Sequence, residues 1–205
     1  FGAYIIWGFL PLYLILVQTV PAFEFVGWRI IWTLPLCLLI ALFRKQGGEL
    51  RAALGNRRTV GWLALSASLI AVNWVVYVWA IQTGEVYAAS LGYYINPLVN
   101  VLLGTALLGE RLTRPQWLAV GIAAVGVSLL AAGAVTTLWI SLTLALTFGT
   151  YGLIRKRVVV GSVPGLTIES LLLLLPSIGV VWYYAQTQGS SFAVSTELSL
   201  SIMLG

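Results

Sequence analysis

The sequence predicts an all-α fold, a polytopic bundle of membrane-crossing helices, and three observations carry that reading. The 205 residues are 60% hydrophobic and only 8% charged, far below the quarter or so of charged residues usual in soluble domains. The apolar residues come in runs of about 20, the length that crosses a hydrocarbon core roughly 30 Å thick. Ten of the eleven basic residues, all but Arg29, fall in three short segments between those runs. The net charge of +5 therefore reports topology rather than a nucleic-acid surface, and no nucleic-acid partner is expected.

In chain order, Gly2 to Val17 reads as the remnant of a first span, closed by Gln18, Thr19 and Pro21. The second span runs from about Ala22 to Phe43 and is followed by a basic loop, Arg44 to Thr59, rich in Gly and polar residues. The third covers about Val60 to Gln82. The fourth, Val86 to Leu108, holds twenty-three residues without a charge. Gly109 to Arg114 turns the chain, and Thr113 with Gln116 forms a T-x-x-Q capping box with Pro115 in the first turn, so the fifth span starts here and reaches about Ala132. The sixth is expected from about Leu138 to Ile154, before Arg155, Lys156 and Arg157, and the seventh from about Leu166 to Ala185. A polar connection, Gln186 to Thr196, leads to the beginning of an eighth. Phe1 and Gly205 both fall inside apolar runs, so the chain reads as truncated at each end, and no signal peptide is recognised.

The basic segments follow the second, fourth and sixth spans. By the positive-inside rule they are cytoplasmic, and the N-terminal end is cytoplasmic too. Trp62 and Trp117 then belong to the inner interface and Trp79, Trp139 and Trp182 to the outer one, while Trp7, Trp28, Trp32 and Trp74 lie deeper. The chain contains no His, no Asp and a single Cys, Cys37. That excludes imidazole-based metal sites, Ser-His-Asp triads and an internal disulfide; no metal and no cofactor are expected, and six scattered Glu argue against an enzyme.

The fourth span carries the chemistry. Pro97 near its middle has no N–H for the carbonyl of Tyr93, which frees an acceptor where lipid offers no donor. Ala89, Tyr93, Asn96, Asn100 and Gly104 recur at helical spacing on one face. Such amides either bond neighbouring helices or line a substrate site, the two uses polar groups find at this depth. On the third span, Asn73, Trp74 and Tyr77 fall at a similar depth, with Asn73 and Tyr77 on a face continued by Ser66 and Ala80. Together with Tyr93, Asn96 and Asn100 they would make a neutral, aromatic, hydrogen-bonding pocket suited to an amphiphilic organic solute. Ser141, Ala145 and Gly149, and likewise Ala119 with Ala123, read as small-residue packing ridges.

Two charges stand inside apolar spans. Arg29 lies roughly 10 Å from the outer end of the second span, and Glu169 a few residues into the seventh from the inner side. Each is a structural ion-pair partner or a functional group: Arg29 attracting an anion or gating the outer side, Glu169 carrying a coupling proton. Glu24 is an alternative partner for Arg29, although five positions apart on a helix is poor geometry.

Phe1-Gly2-Ala3-Tyr4 is echoed by Phe148-Gly149-Thr150-Tyr151, each followed by a Val-Pro connection and a span containing a proline, Pro35 and Pro176. A repeat of five spans, an odd number, inverts its second copy in the membrane, the architecture of alternating-access carriers. Residues 1–132 would be the first copy and 133–205 the beginning of the second. Tyr4 and Tyr151, matched in the two copies, join the candidate substrate residues, and Pro97 joins Arg29 and Glu169 as a gating or coupling candidate.

The run LGYYINPLVNVLLG, followed by LLGERLTRPQWLAV with Gly121 and Gly126, resembles the EamA type of the drug/metabolite transporter superfamily. Tyr93 through Asn100, the pair Asn73-Trp74, and the segments FGTYGLIRKR and IESLLLLLP are similar to its RarD branch, and the resemblance covers essentially the whole chain. It implies ten helices in two inverted halves, about eight of them present here, in the bacterial cytoplasmic membrane. It also implies a permease that exports or exchanges a small metabolite or drug, with membrane lipid as its other partner. The contrasting expectation is a non-transporting membrane subunit whose polar residues only pack helices. Substrate and oligomeric state are not legible.

Overall fold

The computed structural model describes residues 2–133, 135–189, 191–192 and 199, with side chains from residue 8 onward apart from residue 16. The described residues form eight α-helices: α1 (Gly2–Leu16), α2 (Ala22–Phe43), α3 (Gly47–Gly55), α4 (Arg57–Gln82), α5 (Val86–Leu108), α6 (Arg114–Ala132), α7 (Leu138–Arg157) and α8 (Ser162–Thr187). One 3-10 turn, Val135–Thr137, leads into α7. No strand occurs among the described residues. Six stretches are long and apolar enough to cross a membrane: α2, α4, α5, α6, α8, and α7 together with the turn before it. The first span is described as the 15-residue α1, and the expected beginning of an eighth span lies outside the described residues apart from Ser199.

Helix starts follow from the chain's capping chemistry. The Asn56 side chain accepts from the N–H groups of Arg58 and Thr59 at 3.0 and 3.2 Å, so α4 starts three residues before the expected Val60. At Thr113 the Gln116 side chain accepts from the backbone N–H at 2.7 Å, and α6 begins as its T-x-x-Q motif indicates. Helix α8 begins at Ser162 rather than about Leu166, taking Pro164 into its first turn. The missing N–H of Pro164 is one that would have had no intrahelical partner there. At the other end of α5, Gly109 takes φ +69°, a left-handed cap glycine adopts without strain, and Glu110 N–H then reaches the Gly104 carbonyl at 3.1 Å.

The loop expected over residues 44–59 instead contains α3. Its nine residues are too few to cross a membrane, but Ala53 and Leu50 pack against Leu63, Ile154, Val158 and Ile168, at the end of the bundle carrying the basic segments. Glu49 accepts from the Gly161 N–H at 2.6 Å, tying α3 to the α7–α8 connection. At the opposite end, Gln82 donates to the Val20 carbonyl at 2.8 Å.

Three packings define the bundle: α5 on α7, α2 on α8, and α4 wedged against α7 and α8. The ridge Ser141, Ala145, Gly149 lies in the first. Ser141 and Ala145 are fully covered, Ser141 Oγ donates to the Ala88 carbonyl at 2.6 Å, and a Cβ at Gly149 would stand 2.7 Å from Val99 Cγ1. Gly27 allows the second contact, where a Cβ would meet Val181 at 3.0 Å. Small residues let backbones approach closely, which is what drives association when lipid is as apolar as the helices.

Helix α6 differs from expectation. It packs chiefly on α5, helped by a 2.9 Å bond from Tyr87 OH to the Leu130 carbonyl, and none of its residues is buried. Ala119 and Ala123 are exposed, so their spacing marks no packing ridge among the described residues. Periodicity supplies a small face; a ridge also needs a helix opposite it.

Candidate functional site

Helix α5 runs without interruption through Pro97, so the proline removes one N–H without breaking the helix. On the turn before it, Tyr93 and Asn96 face α4 and α7 across a hollow completed by Asn73, Gly92, Leu144 and Phe148. Gly92 opens this approach, since a Cβ there would stand 3.0 Å from the Leu144 Cβ and 3.1 Å from the Ser141 carbonyl. The hollow has a volume of about 10 Å³, room for about one water and not for an organic solute.

The two amides at the hollow are in opposite situations. Asn73 donates from Nδ2 to the Leu144 carbonyl and to Thr147 Oγ1, both at 2.9 Å, so it fastens α4 to α7. Asn96 Oδ1 is buried and has no hydrogen-bond partner. A buried amide oxygen left without a donor costs roughly 1–3 kcal/mol, so it is the polar atom here with most to gain from a ligand or a water.

The remaining candidates are distributed around this centre. Tyr77 meets Tyr93 edge to face at 5.7 Å, behind the lining rather than on it. Trp74 does not line the hollow either; its ring lies under Arg29, with the guanidinium carbon 4.7 Å from the ring centroid. Asn100 is exposed and sits one turn further along α5, with Oδ1 3.3 Å from where a Cβ at Gly149 would be. The side chain of Tyr4 lies outside the described residues.

Tyr151 belongs to a second cluster, with Glu169. That carboxylate is buried between three helices: Ser66 Oγ of α4 donates to Oε1 at 2.5 Å, Tyr151 OH of α7 reaches Oε2 at 3.5 Å, and Arg155 Nε lies 3.9 Å from Oε1. The side chains of Arg155 and Glu169 are 16% and 2% exposed, so the pair is interior. Arg155 also donates to the Gly161 carbonyl at 3.3 Å, while its Nη1 is buried without a partner. Gly165 makes the room, because a Cβ there would overlap the guanidinium. In the sequence Arg155 reads as one of three topology-setting cations. The available signal was its position four residues after Tyr151, on the same helix face.

Glu24, weighed above as a partner for Arg29, is committed elsewhere. Its carboxylate accepts from Ser191 N–H at 2.9 Å, Ser191 Oγ at 2.7 Å and Trp28 Nε1 at 3.4 Å. Phe192 then stacks on Trp28 with ring centroids 4.4 Å apart and lies 6.3 Å from Trp32, giving two of the deep tryptophans a packing role. A larger groove of about 340 Å³, lined by Tyr87, Ser90, Leu91, Tyr94 and Leu130, opens between α5 and α6. It is an apolar surface cleft away from both carboxylate clusters. Among the described residues no group of three or more His, Cys, Asp or Glu could hold a metal ion.

Comparison with known proteins agrees with this architecture. Residues 1–132 match the EamA-like transporter family. The chain is 45% identical over 194 residues to the protein RarD of Streptomyces exfoliatus, covering 94% of this chain and 61% of that one. It is 47% identical over 180 residues to an uncharacterized transporter of Pseudomonas aeruginosa, covering 88% and 60%. With the protein RarD of Salmonella typhi the identity is 38% over 210 residues, covering 99% and 69%. The chain thus spans 61% and 60% of the length of the first two of these relatives. No solved structure matches it significantly. The family match, the similarity to bacterial RarD proteins along nearly the whole chain, and the bundle of apolar helices identify this multi-pass membrane protein as a member of the EamA-like transporter family.

Proposed function

We propose that this chain forms most of a permease, not an enzyme, that moves a small organic solute across the bacterial cytoplasmic membrane by alternating access, as an exporter or exchanger. The observation that carries the reading is the buried, unpartnered Oδ1 of Asn96 beside a hollow at the centre of an uncharged span. A scaffold would be expected to satisfy that atom, as it does Asn73. The small volume of the hollow fits a conformation closed toward both sides.

Two carboxylates are suited to hold such a state. Glu169 binds Ser66 toward the end with the basic segments, and Glu24 binds Ser191 toward the other. If residues 1–132 and 133–205 belong to inverted halves, each latch crosses between halves and their alternate release opens one side at a time. The packing of α2 on α8, counterparts in the proposed repeat, supports a pseudo-twofold axis between them. Glu24 lies eleven residues before Pro35 and Glu169 seven before Pro176, a difference of about one helical turn, so both sit on the same relative face.

The test is solute flux by the intact protein in vesicles, with a metabolite panel. Asn96→Leu removes the free acceptor at little change in volume. It is expected to reduce flux about tenfold or more, the equivalent of one lost hydrogen bond, while leaving thermal stability unchanged or raised. Undiminished flux in this variant would contradict the proposed site.

A further inference from the structure

Arg29 is the one basic residue outside the three basic segments, and its surroundings differ from those of every other intramembrane charge here. It lies seven residues into α2, on the order of 10 Å from the helix start. Its guanidinium makes neither an ion pair nor a hydrogen bond among the described residues; its contact is the face of Trp74. The nearest carboxylate along its helix, Glu24, is occupied by Ser191 and Trp28. Glu169 is occupied by Ser66, Tyr151 and Arg155.

A guanidinium at this depth costs several kcal/mol unless water or a counter-anion meets it. The guanidinium carbon lies over the indole, and the group carries five N–H donors in a fork that fits a carboxylate in two parallel bonds. Trp74, whose ring lies under the cation, directly follows Asn73 on α4, and Asn73 and Tyr93 are walls of the hollow containing the unpartnered Asn96 oxygen. Cation, aromatic walls and free acceptor are therefore linked through the turn of α4 that carries Asn73 and Trp74.

We propose that the transported solute is a small organic anion whose carboxylate, or similar planar acid group, is neutralised by Arg29, with its apolar part against Trp74 and Tyr93. A donor group on the solute would complete the fit by bonding Asn96 Oδ1. Arg29 is then a binding residue and not only a gate. This rests on the carrier reading above.

The experiment uses the intact protein and pairs of solutes alike in shape but not in charge: benzoate with benzamide, and butyrate with butyramide, at pH 8 where both acids are ionised. Binding is read from the thermal unfolding midpoint and from quenching of tryptophan fluorescence. The acids are expected to bind about tenfold or more tightly than their amides. Arg29→Gln abolishes that preference, Arg29→Lys keeps part of it, and Arg44→Gln, an exposed control, leaves it intact. Amides binding as well as acids, no binding by either, or a preference that survives Arg29→Gln would overturn the proposal. Vesicle flux separates the two levels: neutral solutes moved in an Asn96-dependent way with acids excluded would overturn the anion and keep the carrier. No flux of any panel member overturns both.

Discussion

Glu169→Ala is expected to destabilise the intact protein by about 3–5 kcal/mol, because it leaves the mostly buried Arg155 without its counter-charge. It also takes the acceptor from Ser66 and Tyr151. The comparison is Glu169→Gln, which also removes the counter-charge but keeps an acceptor of the same shape for Ser66, and is expected to cost less by the hydrogen-bonding share alone, about 1 kcal/mol. A double-substitution cycle with Arg155→Met should return a coupling of about 1–3 kcal/mol, since the two side chains touch. Unfolding titrated with denaturing detergent and followed by tryptophan fluorescence measures all of these. Additive effects would mean that the cluster is three neighbours and not a unit. The glutamine variant also tests the proton-coupling alternative, with Glu49→Gln beside it, because Glu49 of α3 is a second carboxylate at this end, held on the N–H of the same Gly161 whose carbonyl binds Arg155. Flux by Glu169→Gln should persist without varying with pH, and an unchanged pH profile would remove Glu169 from proton coupling.

Gly149→Val should be comparably damaging for a different reason. A single Cβ at this position already stands 2.7 Å from Val99 Cγ1, so valine must push α7 off α5 along an extensive helix contact of the bundle. The expected loss is about 2–3 kcal/mol or more, with broadening or loss of the thermal transition. Val99→Ala in the same chain vacates the obstructed volume and is expected to recover a good part of it. Gly121→Ala on the unburied α6, where a Cβ meets nothing within 4 Å, should instead be neutral or stabilising by up to about 1 kcal/mol through helix propensity. Equal effects at the two glycines would show that the α5–α7 approach does not govern stability.

The helices were legible where apolar length and capping chemistry agreed. The bounds of α2 and α5 follow from uncharged runs, and the start of α6 from Thr113 and Gln116. Helix α3 was not, because a short segment with three glycines and scattered charge has no membrane-crossing signal and is stabilised by packing under residues distant in sequence. Of the candidate site, periodicity placed Tyr93 and Asn96 on one face and Asn73 at the same depth, and the fold gathers these three around one hollow. It does not gather Trp74, Tyr77 and Asn100 there, since spacing along one helix does not specify which turn of the facing helix comes opposite. Tyr151 was singled out through the repeat; its contact with Glu169 lies beside Arg155, which folds inward over Gly165. Glu24 shows the limit of local reasoning. Five residues from Arg29, it finds its partner 167 residues away instead.

The central claim is that the middle of α5 opens to water and solute when the bundle moves. It is tested most directly by placing a single cysteine at Phe148, which lines the hollow beside Asn96, in the intact protein, with Cys37 and any other cysteine replaced by serine, and probing it in oriented vesicles with membrane-impermeant thiol reagents. The account predicts labelling from both sides of the membrane, slowed by transported solute. A thiol that reacts from neither side while the protein still carries solute would contradict it.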